Sequence, residues 1–239
     1  MITRRATRTV PLALTALVAL GGALVALALF EGHDALAHGT APPEAAAAQT
    51  AGAHSSAVLT RKEVALHSEM RRLWEDHITW TRLAIISLTT GSPDTEATVG
   101  RLLRNQTDIG DAVKPFYGEA AGDELTRQLR AHILIAAGLI AAAVAGDQAE
   151  IAAAQARWEQ NADDIAAVLN SVNERHWKLG AMKAELRKHL RLTTDEVVAR
   201  LQGDWDADVA AYDRIHRHAL HFSDLLSAGI VEQFPKRFR

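Results

Sequence analysis

The fold follows from the spacing of apolar residues, which is clearest in residues 66–88, LHSEMRRLWEDHITWTRLAIISL. Apolar and aromatic side chains recur there every three or four positions, which is the period of an α-helix with one buried face. The residues on this face are Leu66, Met70, Leu73, His77, Trp80, Ala84 and Leu88. We therefore expect a long amphipathic helix that begins near Leu59, carries a histidine on its core side, and ends at Gly91.

The same period continues toward the C-terminus and is interrupted only by turn signals. The predicted elements are a helix from Pro93 to Gly118, a third helix that ends at Gly146, a fourth from Asp147 to Val172, an irregular corner over 173–180, two short helices over 181–190 and 194–202, and a last helix over 204–232. No segment shows the two-residue period of a β-strand. The sequence therefore predicts an all-α fold, an elaborated antiparallel bundle of four or five long helices with the two short helices packed across one end.

Composition and the missing motifs narrow the class of protein. The chain has 239 residues, no cysteine and a formal net charge of −3. Without cysteine there are no disulfides, thiolate metal ligands or cysteine nucleophiles. The small negative charge argues against a nucleic-acid partner, since binding to phosphates needs a strongly basic face. The sequence has no phosphate-binding loop, nucleophile elbow or HExxH motif, so we favour a non-enzymatic protein over a metal-dependent enzyme.

The N-terminal segment indicates export. Arg4, Arg5 and Arg8 precede an uncharged, mostly apolar run over 10–30. We interpret residues 1–37 as a signal peptide or an N-terminal membrane anchor. Small residues at 35 and 37 favour cleavage before residue 38, whereas a run of 21 residues is also long enough to cross a bilayer of about 30 Å. In both cases the remaining chain is expected outside the cytoplasm, secreted or anchored to the cytoplasmic membrane.

The rest of the chain divides into three predicted parts. Residues 38–58 are small, rich in alanine and low in complexity, which is typical of a flexible linker. Residues 59–235 form the helical bundle domain, and residues 236–239, KRFR, form a basic tail.

Several polar side chains lie on otherwise apolar helix faces. His77, His132 and His216 occupy predicted core positions of three different helices, as do Asn105, Asn161 and Tyr212. Acidic side chains lie at the edges of these faces, namely Asp108, Asp163 or Asp164, and Asp213. Imidazoles and carboxylates that converge from several helices are how bundles bind metal ions.

The sequence therefore predicts a candidate site for a transition metal (iron, zinc, manganese or copper) or a small ligand. Its expected ligands are His77, Asp108, His132, Asp213 and His216, supported by Asn105, Asn161 and Tyr212. The alternative is a ligand-free structural or interaction module, in which the polar layer only fixes the register of the helices. The pair Asp213 and His216 has the i, i+3 spacing of a di-iron motif, but the sequence holds one copy where two are needed.

Two further clusters are weaker signals. His216, His218, His221 and Asp224 lie close together on the last helix, where we expect a solvated surface in preference to a metal-binding patch. Basic side chains form an expected basic end, which consists of Lys178, Lys183, Arg187, Lys188, Arg191 and the tail. Such an end suits contact with anionic lipid head groups or cell-wall polymers, although it also serves solubility alone.

Motifs over residues 70–235 resemble those of a family of exported bacterial helical-bundle proteins. They are LWEDHITWTR at 73–82, NQTDIG at 105–110, KPFYG at 114–118, HILIA at 132–136, the segment 158–163, the pair at 212–213, and QFP at 233–235. Members of this family are often named glycosyltransferases or acetylglutamate kinases. Both activities need an α/β sheet with a nucleotide site, which an all-helical chain cannot build. The resemblance implies export and a helical bundle, and it assigns no reaction.

Overall fold

The structure, a computed structural model, describes residues 59–239. The predicted signal or anchor segment and the linker lie outside the described residues. The described chain contains six α-helices and one short 3-10 helix: α1 (Arg61–Thr90), α2 (Thr95–Tyr117), α3 (Glu119–Ala145), α4 (Gln148–Val172), α5 (Leu179–Gln202), α6 (Trp205–Gln233) and the turn Pro235–Arg237. Residues 59–239 include no β-strand, so the all-α prediction is confirmed.

The helix ends are set by local chemistry. Thr60 caps α1, because its hydroxyl accepts from the backbone N–H of Glu63 while the Glu63 carboxylate accepts from the backbone N–H of Thr60. At the other end Gly91 adopts a left-handed conformation with φ of 63°, which a residue without a Cβ accepts at no steric cost. Asp147 and Asp204 accept from backbone N–H groups in the first turns of α4 and α6.

The six helices run alternately up and down and close into a ring. Each helix packs against the next along the chain, and α6 returns to pack against α1. The enclosed core holds large side chains that are almost entirely buried, among them Met70, Ile78, Ile165, Met182, Ile215 and Ile230. Because the ring is closed, side chains on the inner faces of non-neighbouring helices meet at its centre.

The prediction of two short helices across one end is wrong. Residues 179–202 form the single helix α5, which packs lengthwise between α4 and α6. The Thr193-Thr194 pair resembles a helix start in sequence, but both hydroxyls donate to backbone carbonyls one turn earlier, at His189 and Leu190. The threonines are therefore satisfied inside a continuous helix.

The C-terminal tail is part of the packed structure. Phe238 is 5% exposed and its ring stacks on that of Phe116 at 5.9 Å between centroids. Arg237 donates to the backbone carbonyl of Pro115 at 2.6 Å and lies over the Phe116 ring. The predicted boundary at residue 235 therefore falls within a docked segment.

The predicted basic end is only partly present. The side chains of Lys188 and Arg191 are exposed on α5. Lys183 and Arg187 both form ion pairs with Asp163 of α4, at 3.0 and 2.8 Å. Their charge is therefore partly neutralised, which leaves a weaker basic surface than the sequence suggested.

Helix α3 is long and apolar enough to cross a membrane, by length and composition alone. It packs between α2 and α4, and its inner face carries buried residues such as Leu129 and His132. Leu134 and Val144 on its outer face are 55% and 52% exposed. The apolar residues on the inner face of α3 are explained by its packing in the core of the bundle.

Helices α2 and α3 pack backbone against backbone at two glycines. A Cβ at Gly110 would overlap the side chain of Thr126 and lie 2.7 Å from the carbonyl oxygen of Gly122. A Cβ at Gly122 would lie 2.7 Å from the carbonyl oxygen of Gly110. Glycine is therefore required at this crossing by space, because the obstacle is backbone that cannot rotate away.

Replacing Gly110 tests this packing. Gly110→Ala should lower the free energy of unfolding by roughly 1–3 kcal/mol, because the added methyl group pushes two helices apart. The control is Gly138→Ala on the open side of α3, where nothing lies within 4 Å of the added methyl group. This change should raise the free energy of unfolding by about 0.5–1 kcal/mol, because alanine favours the helix. Urea denaturation measures both, and equal midpoints for the two variants would contradict the close crossing.

Candidate metal or ligand site

Four histidines from four helices meet at the centre of the bundle. They are His77 of α1, His132 of α3, His189 of α5 and His218 of α6, exposed by 3%, 5%, 7% and 5%. The ring of His189 is central, at 5.7 Å from His77, 6.0 Å from His132 and 6.0 Å from His218 between centroids. We call these four residues the histidine cluster.

The structure brings together only part of the predicted ligand set. His77 and His132 meet in the histidine cluster, whereas Asp108 and Asp213 are exposed to solvent. His216 lies at the surface, where its Nε2 is 2.7 Å from the carboxylate of Glu75. The prediction that Asp108, Asp213 and His216 join this site is therefore wrong.

The error arises from the rotational phase of α6. In the first half of α6 the inner face carries Ala211, Ile215, His218 and Phe222, whereas the sequence placed Tyr212 and His216 there, a difference of roughly 100°, or one residue. This rotation moves His216 outward and His218 inward. Tyr212 is consequently half-buried, with the guanidinium of Arg82 over its ring at 5.3 Å.

Sequence reasoning missed two members of the cluster. The sequence places His218 in a surface patch, of which His221 is exposed and Asp224 pairs with Arg71 at 2.7 Å. His189 was hidden by the assumed break in α5. Once residues 179–202 are treated as one helix, Met182, Leu186, His189 and Leu190 share a buried face, which is the signal that could have revealed it.

The orientation of His132 is fixed by a hydrogen-bonded amide. Its Nδ1 lies 2.8 Å from Oδ1 of Asn161, whose Nδ2 donates to the backbone and side-chain oxygens of Gln128. Since Asn161 presents an oxygen to the ring, Nδ1 of His132 carries the proton. The lone pair of Nε2 is then free. Asn161 thus lies directly behind His132.

The orientation of His77 is fixed in the opposite sense. Its Nδ1 lies 3.2 Å from Nε2 of Gln106, whose two hydrogens point to Leu102 O and Asn105 Oδ1 at 2.9 and 3.0 Å, so Nδ1 faces an amide nitrogen and shares one of these hydrogens. Asn105 in turn donates to the carbonyl of Leu73 at 3.0 Å. Because a donor faces Nδ1, the neutral ring of His77 carries its proton on Nε2. Asn105 therefore belongs to the polar layer, one step behind His77.

The other two imidazoles have few partners. Nδ1 of His218 is 3.5 Å from Oε2 of Glu185, and neither atom forms a hydrogen bond with another of residues 59–239. His189 forms no side-chain hydrogen bond within that range through either ring nitrogen. A buried polar group without a partner costs about 1–3 kcal/mol, and a bound water or ion, or a small approach of Glu185, would remove this cost at Nδ1 of His218.

A cavity lies between these rings. About 20 Å³ of it is open to the centre of a water-sized sphere. Its polar lining is His77, His132, Glu185, His189 and His218, and Trp74 and Phe222 are among its apolar lining. One water needs roughly 10–15 Å³ by this measure, so the space suits an ion with at most one small ligand and excludes an organic molecule.

The rings stand slightly apart for direct coordination. Among residues 59–239 no three histidine or acidic side chains surround one point closely enough to bind an ion without movement. Two imidazoles on one tetrahedral zinc ion, with Zn–N of about 2.1 Å, have centroids roughly 5 Å apart. The separations of 5.7–6.0 Å from His189 therefore require each of these pairs to close by about half an ångström or more, and the other pairs of rings, which lie farther apart, to close by more.

Burial keeps all four imidazoles neutral at neutral pH. Desolvation, together with the nearby His132, lowers the pKa of His77 to about 3. Desolvation lowers the pKa of His132 to about 4, that of His189 well below 6.5 and that of His218 below 6.5. Neutral imidazole is the form that binds metal ions, so the cluster does not have to lose protons first.

A buried group of charges lies beyond the cluster on three of the same helices. Arg82 of α1 donates to both carboxylate oxygens of Asp208 and, at 2.8 Å, to Glu196 of α5. Arg200 donates to Asp208 at 3.0 Å. Burial raises the pKa of Glu196. At Asp208 the hydrogen bonds from Arg82 and Arg200 outweigh the effect of burial and hold the pKa of the carboxyl below its usual value. These contacts fix α1, α5 and α6 relative to one another.

Comparison with protein-family models, with curated proteins and with solved structures finds no match to this chain.

The histidine cluster predicts a loss of stability in acid for the metal-free protein. The unfolded chain takes up protons below about pH 6.5, whereas the folded cluster does not until about pH 4 and pH 3 at His132 and His77. Stability is thus fully present above pH 6.5 and falls as the pH falls. At pH 5 each of these two histidines should lower the free energy of unfolding by roughly 2 kcal/mol relative to its value at neutral pH.

Chelator-treated protein unfolded in urea at pH 7 and pH 5 measures this effect. His77→Gln and His132→Gln should each reduce the difference in unfolding free energy between the two pH values by roughly 2 kcal/mol. The control His221→Gln removes an exposed imidazole and should leave the difference unchanged. A parent protein as stable at pH 5 as at pH 7 would contradict the burial of neutral histidines.

Proposed function

We propose that this protein is an extracytoplasmic, non-catalytic helical bundle that holds one transition-metal ion in the histidine cluster. The observation that carries the proposal is the meeting of four buried imidazoles from four helices around a cavity of about 20 Å³. A layer that served only helix register would need partners for its nitrogens. His189 has none among the described side chains, and a bound ion would supply one.

The ligand chemistry favours some metals over others. Neutral imidazoles suit zinc, copper and iron, whereas manganese prefers carboxylates and water. The nearest carboxylate, that of Glu185, faces His218. We therefore expect zinc, copper or iron in preference to manganese.

The enclosure of the cavity supports a binding role over an enzymatic one. Its four histidines are each at most 7% exposed, and the space accepts an ion with one small ligand. A substrate larger than water would need the bundle to open. The metal-dependent enzyme therefore stays the less favoured hypothesis.

The proposed location rests on the N-terminal sequence and on the resemblance to exported helical proteins. Three arginines before a long apolar run direct the following chain across the membrane. A contact between the exposed basic side chains and anionic lipid or wall polymers is a weaker proposal, since Asp163 already pairs with two of them.

Metal analysis tests the proposed function. The purified full-length protein, without a histidine tag, should contain one zinc, copper or iron ion per chain. Added metal at a hundredfold excess over the dissociation constant should stabilise the metal-free protein by about 2.7 kcal/mol. His132→Ala should abolish both results. The matched control His216→Ala, at the surface, should retain them.

A protein without a metal site would give a different result. Elemental analysis without stoichiometric metal, together with melting curves that do not respond to zinc, iron, manganese or copper, would leave the histidine cluster with a structural role alone.

A fusion tests the location. A reporter enzyme that is active only outside the cytoplasm, joined after Val58, should be active because the arginines at the N-terminus stay inside. Replacing Arg4, Arg5 and Arg8 by glutamate should lower this activity. Reporter activity confined to the cytoplasm would overturn the proposed topology.

A further inference from the structure

The four histidines have different hydrogen-bonding partners, which divides their roles. Resting on the proposed function, we propose that Nε2 of His132, a ring nitrogen of His189 and Nε2 of His218 bind the ion. His77 binds no metal and instead donates its Nε2–H to the fourth ligand, a bound water or hydroxide.

In His132 and His218 one ring nitrogen faces a hydrogen-bond acceptor, which leaves the other nitrogen for the ion. In metal sites a ligating imidazole donates its other N–H to an amide, carbonyl or carboxylate, which fixes the ring. Asn161 provides this acceptor for His132 at 2.8 Å. The carboxylate of Glu185 provides it for His218, since a shift of a few tenths of an ångström turns the 3.5 Å separation into a hydrogen bond.

His189 completes the set because it is the central ring. It is the one member of the cluster whose centroid lies within 6.0 Å of each of the other three. It forms no side-chain hydrogen bond with the rest of residues 59–239, so neither of its nitrogens has to give up a partner to bind an ion. An ion placed next to His189 is therefore within reach of His132 on one side and His218 on the other.

His77 differs because its back partner is a donor. Turning the amide of Gln106 to offer an oxygen would place that oxygen against the oxygens of Leu102 and Asn105. Asn105 cannot turn to compensate, because its own amide nitrogen donates to the carbonyl of Leu73. The proton of His77 is thus held on Nε2, where it blocks coordination.

A protonated Nε2 at His77 has a use beside a metal ion. A metal-bound water is more acidic than free water, and a hydrogen bond donated to it favours the hydroxide form. The cavity of about 20 Å³ has room for such a ligand beside the ion. His77 is therefore a positioning residue for the fourth ligand.

Cobalt(II) is the probe that separates the two roles, because its visible spectrum reports coordination. In the full-length protein, His132→Gln, His189→Gln and His218→Gln should each weaken Co²⁺ binding by more than 100-fold. His77→Gln keeps an amide N–H donor and should stay within fivefold of the parent. The control His221→Gln should match the parent, and circular dichroism checks that each variant is folded.

The pH dependence of the cobalt spectrum reads out the role of His77 directly. His77→Leu removes the donor, so the pH at which the bound water loses its proton should rise by about one unit relative to the parent, with little change for His77→Gln. A loss of Co²⁺ binding in His77→Gln equal to that of the ligand variants would overturn the assignment and leave the proposed function standing. Failure of the parent to bind Co²⁺ would overturn both.

A measurement on the parent alone covers variants that do not fold. X-ray absorption at the cobalt edge counts the imidazoles bound to the ion. Three imidazoles and one oxygen support the assignment, whereas four imidazoles, or two, would overturn it.

Discussion

The structure depends on one constraint: four imidazoles are buried at the centre of a closed ring of helices, and each brings one donor and one acceptor that must be satisfied. An unsatisfied buried polar group costs about 1–3 kcal/mol, which is a large fraction of the stability of a small domain. Amides on α2 and α4 face Nδ1 of His77 and Nδ1 of His132. The four imidazole rings line a small cavity. The need to satisfy these buried imidazoles therefore constrains both the positions of the helices and the chemistry of the site.

The buried charges strengthen this arrangement. Arg82, Glu196 and Asp208 connect α1, α5 and α6, the same helices that carry His77, His189 and His218. Breaking a buried ion pair by removing one partner typically costs 3–5 kcal/mol, because the other charge is left without compensation. The cost makes a slip of these three helices past one another unfavourable. The positions of three of the four imidazoles are therefore fixed by contacts outside the cavity.

The helical period in the sequence was enough to predict the fold class and most helix boundaries. It was not enough to predict the site, for two physical reasons. A stripe of apolar residues gives the phase of a helix only to within about one residue, or roughly 100°, and that error exchanged His216 for His218. The threonines at 193 and 194 are typical of a helix start, but their hydroxyls bond within α5, which concealed His189. His77 and His132 were found because the apolar stripes predicted for α1 and α3 coincide with the buried faces of these helices.

Crystals of the full-length protein grown with zinc, with diffraction recorded at the zinc absorption edge, would locate the ion. We expect one strong anomalous peak per chain inside the bundle, at about 2.0–2.1 Å from nitrogens of His132, His189 and His218. The same map should show Nε2 of His77 within hydrogen-bonding distance of the fourth ligand and not of the ion. A cavity that holds only a water molecule, with zinc bound solely at surface groups such as Glu75 and His216, would contradict it.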